Sequence, residues 1–149
     1  REAFKNFPGL YSISSTFAST LPIDHALTIS LKPSQSIAIF HDVVTIPKNT
    51  IPSIESLQLN KNAKIKKIML NGNKVTMDNS NKDLLKLDFS NLKIKPATPL
   101  ELVFDYTLPL QITNKKIEPF FISSADNFYP KPTQNEKNDF RVTFNIKIQ

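Results

Sequence analysis

Between Phe140 and Gln149 every second residue is apolar: Phe140, Val142, Phe144, Ile146 and Ile148 alternate with Arg141, Thr143, Asn145 and Lys147. A period of two sends successive side chains to opposite faces of an extended strand, so this run has one face for a core and one for water. The pattern recurs along the chain. Leu27, Ile29 and Leu31 alternate with Thr28 and Ser30, and Leu85, Leu87 and Phe89 repeat the spacing. Leu100, Leu102, Phe104 and Tyr106 face away from Glu101, Val103, Asp105 and Thr107. Helix has little room beside such runs. Eleven prolines and many β-branched residues confine it to a turn or two near residues 2–7 or 80–86.

Punctuation sets the connections. Pro33 lies between two runs, and Pro47 ends the second because it has no amide to give to a ladder. That second run, Ile37 to Ile46, loses its alternation near Phe40, which predicts a bulge or a change of facing. Asn71-Gly72 stands between apolar runs ending at Leu70 and resuming at Val75, and predicts a type I′ hairpin turn, in which both central residues need positive φ. The fold expected is all-β: an antiparallel β-sandwich or curved, saddle-like sheet of about 7–9 strands with little helix. Residues 1–22 are expected as an amino-terminal extension or linker, and residues 23–149 as a single β domain cut from a larger multidomain protein. A chain of 149 residues can bury enough surface to fold without disulfides or a structural metal.

Composition excludes several chemistries. The absence of cysteine removes thiol nucleophiles, Cys-based zinc sites and iron–sulfur clusters. Two glycines, Gly9 and Gly72, cannot build a phosphate-cradling loop, which needs several. No apolar run approaches the roughly 18 residues of a membrane helix, so membrane insertion is not expected. The net charge of +6 comes from 17 lysines and only the two arginines Arg1 and Arg141, so the guanidinium forks that read bases and phosphates are nearly missing. A solvated lysine-rich surface explains the charge better than a nucleic-acid partner. The compartment stays open, an extracytoplasmic placement being preferred to a cytoplasmic one.

His25 follows Asp24 and His41 precedes Asp42, which invites a metal or acid–base reading. The spacing argues against a shared site, because neighbours on a strand point to opposite faces, and ordinary surface or partly buried histidines are expected instead. Ser14, Ser15, Ser123 and Ser124 lack a nucleophile-elbow motif, and Glu101 and Asp105 sit on the solvent side of their strand. No catalytic residue and no metal ligand is assigned. The stretch from Lys115 to Pro132 differs from the rest: Phe120, Phe121, Phe128 and Tyr129 gather between prolines without sustained alternation. Such aromatics either pack over the end of the sandwich or form a rim for a partner.

The order of these features resembles the amino-terminal, saddle-shaped β domain of the aminopeptidase N family of zinc metallopeptidases. The resemblance is carried by His25-Ala-Leu-Thr-Ile-Ser-Leu-Lys-Pro33, Leu57-Gln-Leu-Asn60, Lys64 to Val75, Pro99 to Tyr106, Asp126-Asn-Phe-Tyr-Pro130 and the closing run from Phe140 to Ile148. It implies a non-catalytic domain that supports a downstream catalytic domain and walls its peptide cleft. The family's zinc-binding His-Glu-x-x-His does not occur here, so no cofactor is expected in this chain and Zn only in the downstream domain. Many members place a Gln-x-Glu pair near the substrate's free amine; Lys116-Ile117-Glu118 stands in that place, which makes Glu118 the candidate carboxylate and leaves the Gln replaced. Phe120, Phe121, Phe128 and Tyr129 are then the expected interdomain contacts. The competing readings are a free-standing extracytoplasmic Ig-like binding or adhesion module and a carbohydrate-binding domain, the latter weakened by the lack of tryptophan.

Overall fold

The structure is a computed structural model that describes residues 9–14, 22–94, 98–113, 116–118, 127–134 and 142–149. Twelve strands occur among them: β1 (Gly9–Ser14), β2 (Ile23–Lys32), β3 (Ile37–Ile46), β4 (Ile54–Asn60), β5 (Lys64–Leu70), β6 (Asn73–Val75), β7 (Leu84–Asp88), β8 (Leu100–Pro109), β9 (Gln111–Thr113), β10 (Lys116–Glu118), β11 (Lys131–Gln134) and β12 (Val142–Ile148). Helix among these residues is limited to single 3₁₀ turns at Pro33–Gln35, Ile51–Ser53 and Phe89–Asn91. Seven strands form a large sheet in the order β1-β12-β2-β3-β8-β5-β6, three form a small sheet β11-β4-β7, and β9 pairs with β10 as a ribbon. The all-β expectation holds. The strand count exceeds it because β6, β9 and β10 are only three residues each, too short to show alternation.

Two long-range pairings shape the large sheet. The last strand, β12, lies parallel to β2, from Val142↔Ile23 to Ile148↔Ile29, so the sheet is mixed and not purely antiparallel. The ladder continues to the final residue, where Gln149 N–H donates to the Ile29 carbonyl and Leu31 N–H to the Gln149 carbonyl. On the outer side of β12, β1 pairs antiparallel from Gly9↔Ile148 to Ser14↔Thr143. The sheet thus begins inside the segment read from sequence as an extension or linker.

The inner faces of both sheets meet in one apolar cluster. The large sheet contributes Ile23, Leu27 and Ile29 from β2, Ala38, Phe40, Val44 and Ile46 from β3, and Leu100, Leu102, Phe104, Tyr106 and Leu108 from β8. The small sheet answers with Ile54, Leu57, Leu59, Leu85 and Leu87. Each fully buried side chain of this size contributes about 1.5–3 kcal/mol relative to exposure. The rings of Phe40 and Tyr106, register partners on β3 and β8, stack at 4.9 Å between centroids.

The expected irregularity near Phe40 is absent. β3 keeps one register against both β2 and β8, and its inner positions are Ala38, Phe40, Asp42, Val44 and Ile46. The alternation was broken by composition, since a carboxylate stands at an inner position while Ile37, Ile39 and Val43 stand on the outer face. Register shifts lie instead in β5, between Ile65 and Lys67 against β8, and in β11, between Thr133 and Gln134 against β4.

The hairpin forms where Asn71-Gly72 predicts it. Both residues have positive φ, 45° and 86°, and Leu70 pairs with Asn73. Asn71 also fastens the turn to β8, its Oδ1 accepting from Glu101 N–H at 2.9 Å and its own N–H donating to the Glu101 carbonyl. A Cβ at Gly72 would meet nothing within 4 Å, so the cost of replacing it is conformational and not steric. Gly72→Ala is expected to lower stability by about 1 kcal/mol through the left-handed backbone, read as a reduced urea midpoint with an unchanged slope.

Candidate functional site

The inner face of the large sheet holds a pair of ionisable groups. His25 on β2 and Asp42 on β3 are diagonal neighbours, because the ladder sets His25 opposite Val44 and Leu27 opposite Asp42. Their side chains meet at 2.7 Å, Nδ1 to Oδ2, and both are fully buried. Asp24, the sequence neighbour of His25, lies on the other face, where it accepts from Thr143 Oγ1 at 2.6 Å. His41 likewise ignores Asp42 and bonds through Nδ1 to Asp105, its register partner on β8. Each histidine therefore takes its carboxylate from across the ladder. His41 is half exposed, as expected, but His25 is wholly buried where a surface or partly buried side chain was expected.

Aromatic rings surround the buried pair. Phe144 of β12 stacks on the His25 imidazole at 4.8 Å with an interplanar angle of 20°, and Tyr129 approaches it edge-on at 5.2 Å. Tyr129 also meets Phe144 and Phe128 edge-on, and Phe128 reaches Phe40. Tyr106 donates its hydroxyl to the Phe128 carbonyl at 2.6 Å. Burial, and then the negative charge of Asp42, hold that hydroxyl protonated well beyond the usual tyrosine range. Phe128 and Tyr129 are 4% and 7% exposed, so their rings belong to the core of this domain. Phe120 and Phe121 lie outside the described residues.

Glu118 ends β10, and the β9–β10 ladder sets Gln111 directly opposite it; its side chain lies outside the described residues. No group of three or more His, Cys, Asp or Glu placed to hold a metal ion occurs among the described residues. No helix among them is long and apolar enough to cross a membrane. A surface cleft of about 580 Å³ opens on the small-sheet side, lined by Ile51, Ile54, Phe89, Leu92 and Ile94, with the Lys86–Asp88 ion pair on its wall. The buried His25–Asp42 bond has no surface of its own through which to meet a substrate; its setting is that of a structural link.

No family model matches the sequence, and no curated protein matches it. Among solved structures the fold is found in M1 zinc metallopeptidases. One from Deinococcus radiodurans superposes with a TM-score of 0.53 at 14% identity, covering 85% of this chain and 32% of its own. Native yeast LTA4 hydrolase gives a TM-score of 0.56 at 13% identity, over 86% of this chain and 22% of its own. A two-domain M1 zinc metallopeptidase mutant bound to L-tryptophan gives 0.52 at 13% identity, over 90% of this chain and 34% of its own. The chain thus spans about a third or less of the peptidases it matches. At these identities the likeness is one of fold, the fold the sequence resemblance implied.

Tyr106 supplies a test of the packing around the pair. Its proton is retained in the fold above the pH at which the unfolded chain loses it, so its contribution to stability is fully present below pH about 10 and declines as pH rises further, by about 1.4 kcal/mol per unit. Tyr106→Phe is expected to cost about 1–3 kcal/mol at neutral pH by leaving the Phe128 carbonyl without its donor. Denaturation curves at pH 7 to 11 should show that cost shrinking above pH 10, where the wild type loses stability as Tyr106 of its unfolded chain ionises and the variant has no such group to ionise.

Proposed function

We propose that this chain is the non-catalytic amino-terminal β domain of an aminopeptidase N-like zinc metallopeptidase, supporting the catalytic domain and walling its peptide cleft. The observation that supports this most is the proportion of the fold match: 85% of this chain against 32% of the Deinococcus radiodurans peptidase. A unit that accounts for a third of such a protein, and whose 149 residues carry no His-Glu-x-x-His, leaves metal binding and water activation to another domain. The zinc and the general base are assigned to the polypeptide downstream, which is also the partner of this domain.

Within that reading, Glu118 is the carboxylate that meets the free amine of a peptide substrate. A carboxylate suits an ammonium because a charge-assisted hydrogen bond is worth about 1.5–3 kcal/mol. Gln111, the register partner of Glu118, brings an amide-bearing residue to the neighbouring strand, although Lys116 replaces the Gln of the resembled pair. Phe120 and Phe121 are the aromatic residues proposed for the interdomain contact; the buried rings of Phe128 and Tyr129 add little surface to it. An Ig-like module finds less support, since that architecture pairs two antiparallel sheets and this one builds a seven-stranded mixed sheet.

The test uses the full-length polypeptide and aminoacyl-p-nitroanilide substrates. Glu118→Ala is expected to raise KM about tenfold or more, with the melting temperature of the protein unchanged. The 149-residue chain alone is expected to release no p-nitroaniline with or without added zinc. Metal-dependent release by the isolated chain overturns the non-catalytic reading, and an unchanged KM overturns the role of Glu118.

A further inference from the structure

We propose that the His25–Asp42 pair is a polar latch that fixes residues 127–130, and through them the small sheet, in one position on the large sheet. Besides the ring contacts of Phe128 with Phe40 and of Tyr129 with Phe144, and the β11–β4 ladder that follows it, three contacts bear on the position of the segment. Asn60 at the end of β4 donates its N–H to the Asn127 carbonyl at 2.9 Å, which ties the segment to the small sheet. Tyr106 of β8 donates to the Phe128 carbonyl at 2.6 Å, which ties it to the large one. The third hold is the edge-on contact of Tyr129 with the His25 ring, which also stacks on Phe144. Asn127 itself sits at φ 51°, so the chain turns sharply as it enters the segment.

The first two holds are single hydrogen bonds, and the third depends on how the imidazole is oriented. Apolar contacts are non-directional and would accept several ring orientations, whereas the bond from Nδ1 to Asp42 accepts one. His25 Nε2 and Asp42 Oδ1 have no other hydrogen-bond partner among the described residues. The satisfaction of two fully buried polar side chains therefore rests on a single 2.7 Å contact. Any shift of β2 on β3, or rotation of the ring, strands both groups in the core, which is the more costly outcome the lower the local dielectric. Hydrocarbon at both positions would fill the space as well and fix it less. The latch contributes uniqueness of arrangement beyond its contribution to stability.

The experiment reads amide exchange at Asn60, which reports the bond to Asn127, relative to the amides of β8 in the same sample. Asp42→Leu alone leaves a buried imidazole unpaired and is expected to lower the melting temperature by about 10 °C. The double variant His25→Leu/Asp42→Leu is expected to regain most of that loss, yet to exchange at Asn60 at least tenfold faster relative to β8. Ile68→Ala, a core truncation in β5, serves as control and is expected to lower the melting temperature while leaving that ratio within threefold of wild type. Should the double variant fail to fold, Asp42→Asn takes its place, with a rise of at least threefold expected. A ratio that stays within threefold of wild type in the variant read, or a control that raises it as much, overturns the latch.

Discussion

A carboxylate stands at an inner position of a central strand, and much of the arrangement around it follows from the need to keep that charge paired. Asp42 lies between Phe40 and Val44 on the face of β3 that looks into the apolar cluster. Leaving it unpaired there would cost several kcal/mol, a large part of what a domain of this size has in total. His25 provides the partner from β2, Phe144 of β12 covers the imidazole, and the 127–130 segment closes over its edge. Strands β2, β3 and β12 and the segment before β11 are thereby gathered around one bond.

Local pattern disclosed the strands but not their partners. Alternation located β2, β8 and β12, and the need for positive φ located the Asn71-Gly72 turn, because each of these is decided within a few residues. The parallel pairing of β12 with β2, the recruitment of β1, and the two cross-strand His–Asp bonds depend on residues 17 to more than 100 positions apart, and no short-range signal encodes them. The break at Phe40 was a real signal with a different cause. A buried acid and a bulge disturb the hydrophobic period in the same way, and only the continuous register of β3 separates them. Of the candidate site residues, Phe128 and Tyr129 are buried in this domain, and a run of aromatics reads alike in sequence whether it faces a core or a partner.

The positive charge has an explanation in the sheet itself. Among the described residues β6 covers only Ile68 to Leu70 of β5, which leaves the first part of β5 at an edge of the large sheet. Lys64, Lys66 and Lys67 occupy that stretch, all exposed. Lysines on an unpaired edge discourage another strand from adding to it, so part of the +6 net charge serves to keep the sheet from growing.

The outermost position of β1 has a consequence for biosynthesis. Among the described residues its ladder partner is β12, more than a hundred positions further along the chain, which must itself settle beside β2. β1 therefore waits for its partner while more than a hundred residues between the two strands emerge. Closing so long a loop makes assembly of this edge slow compared with the β2–β3 hairpin, and a nascent chain paused before β12 has emerged would hold β1 still loose.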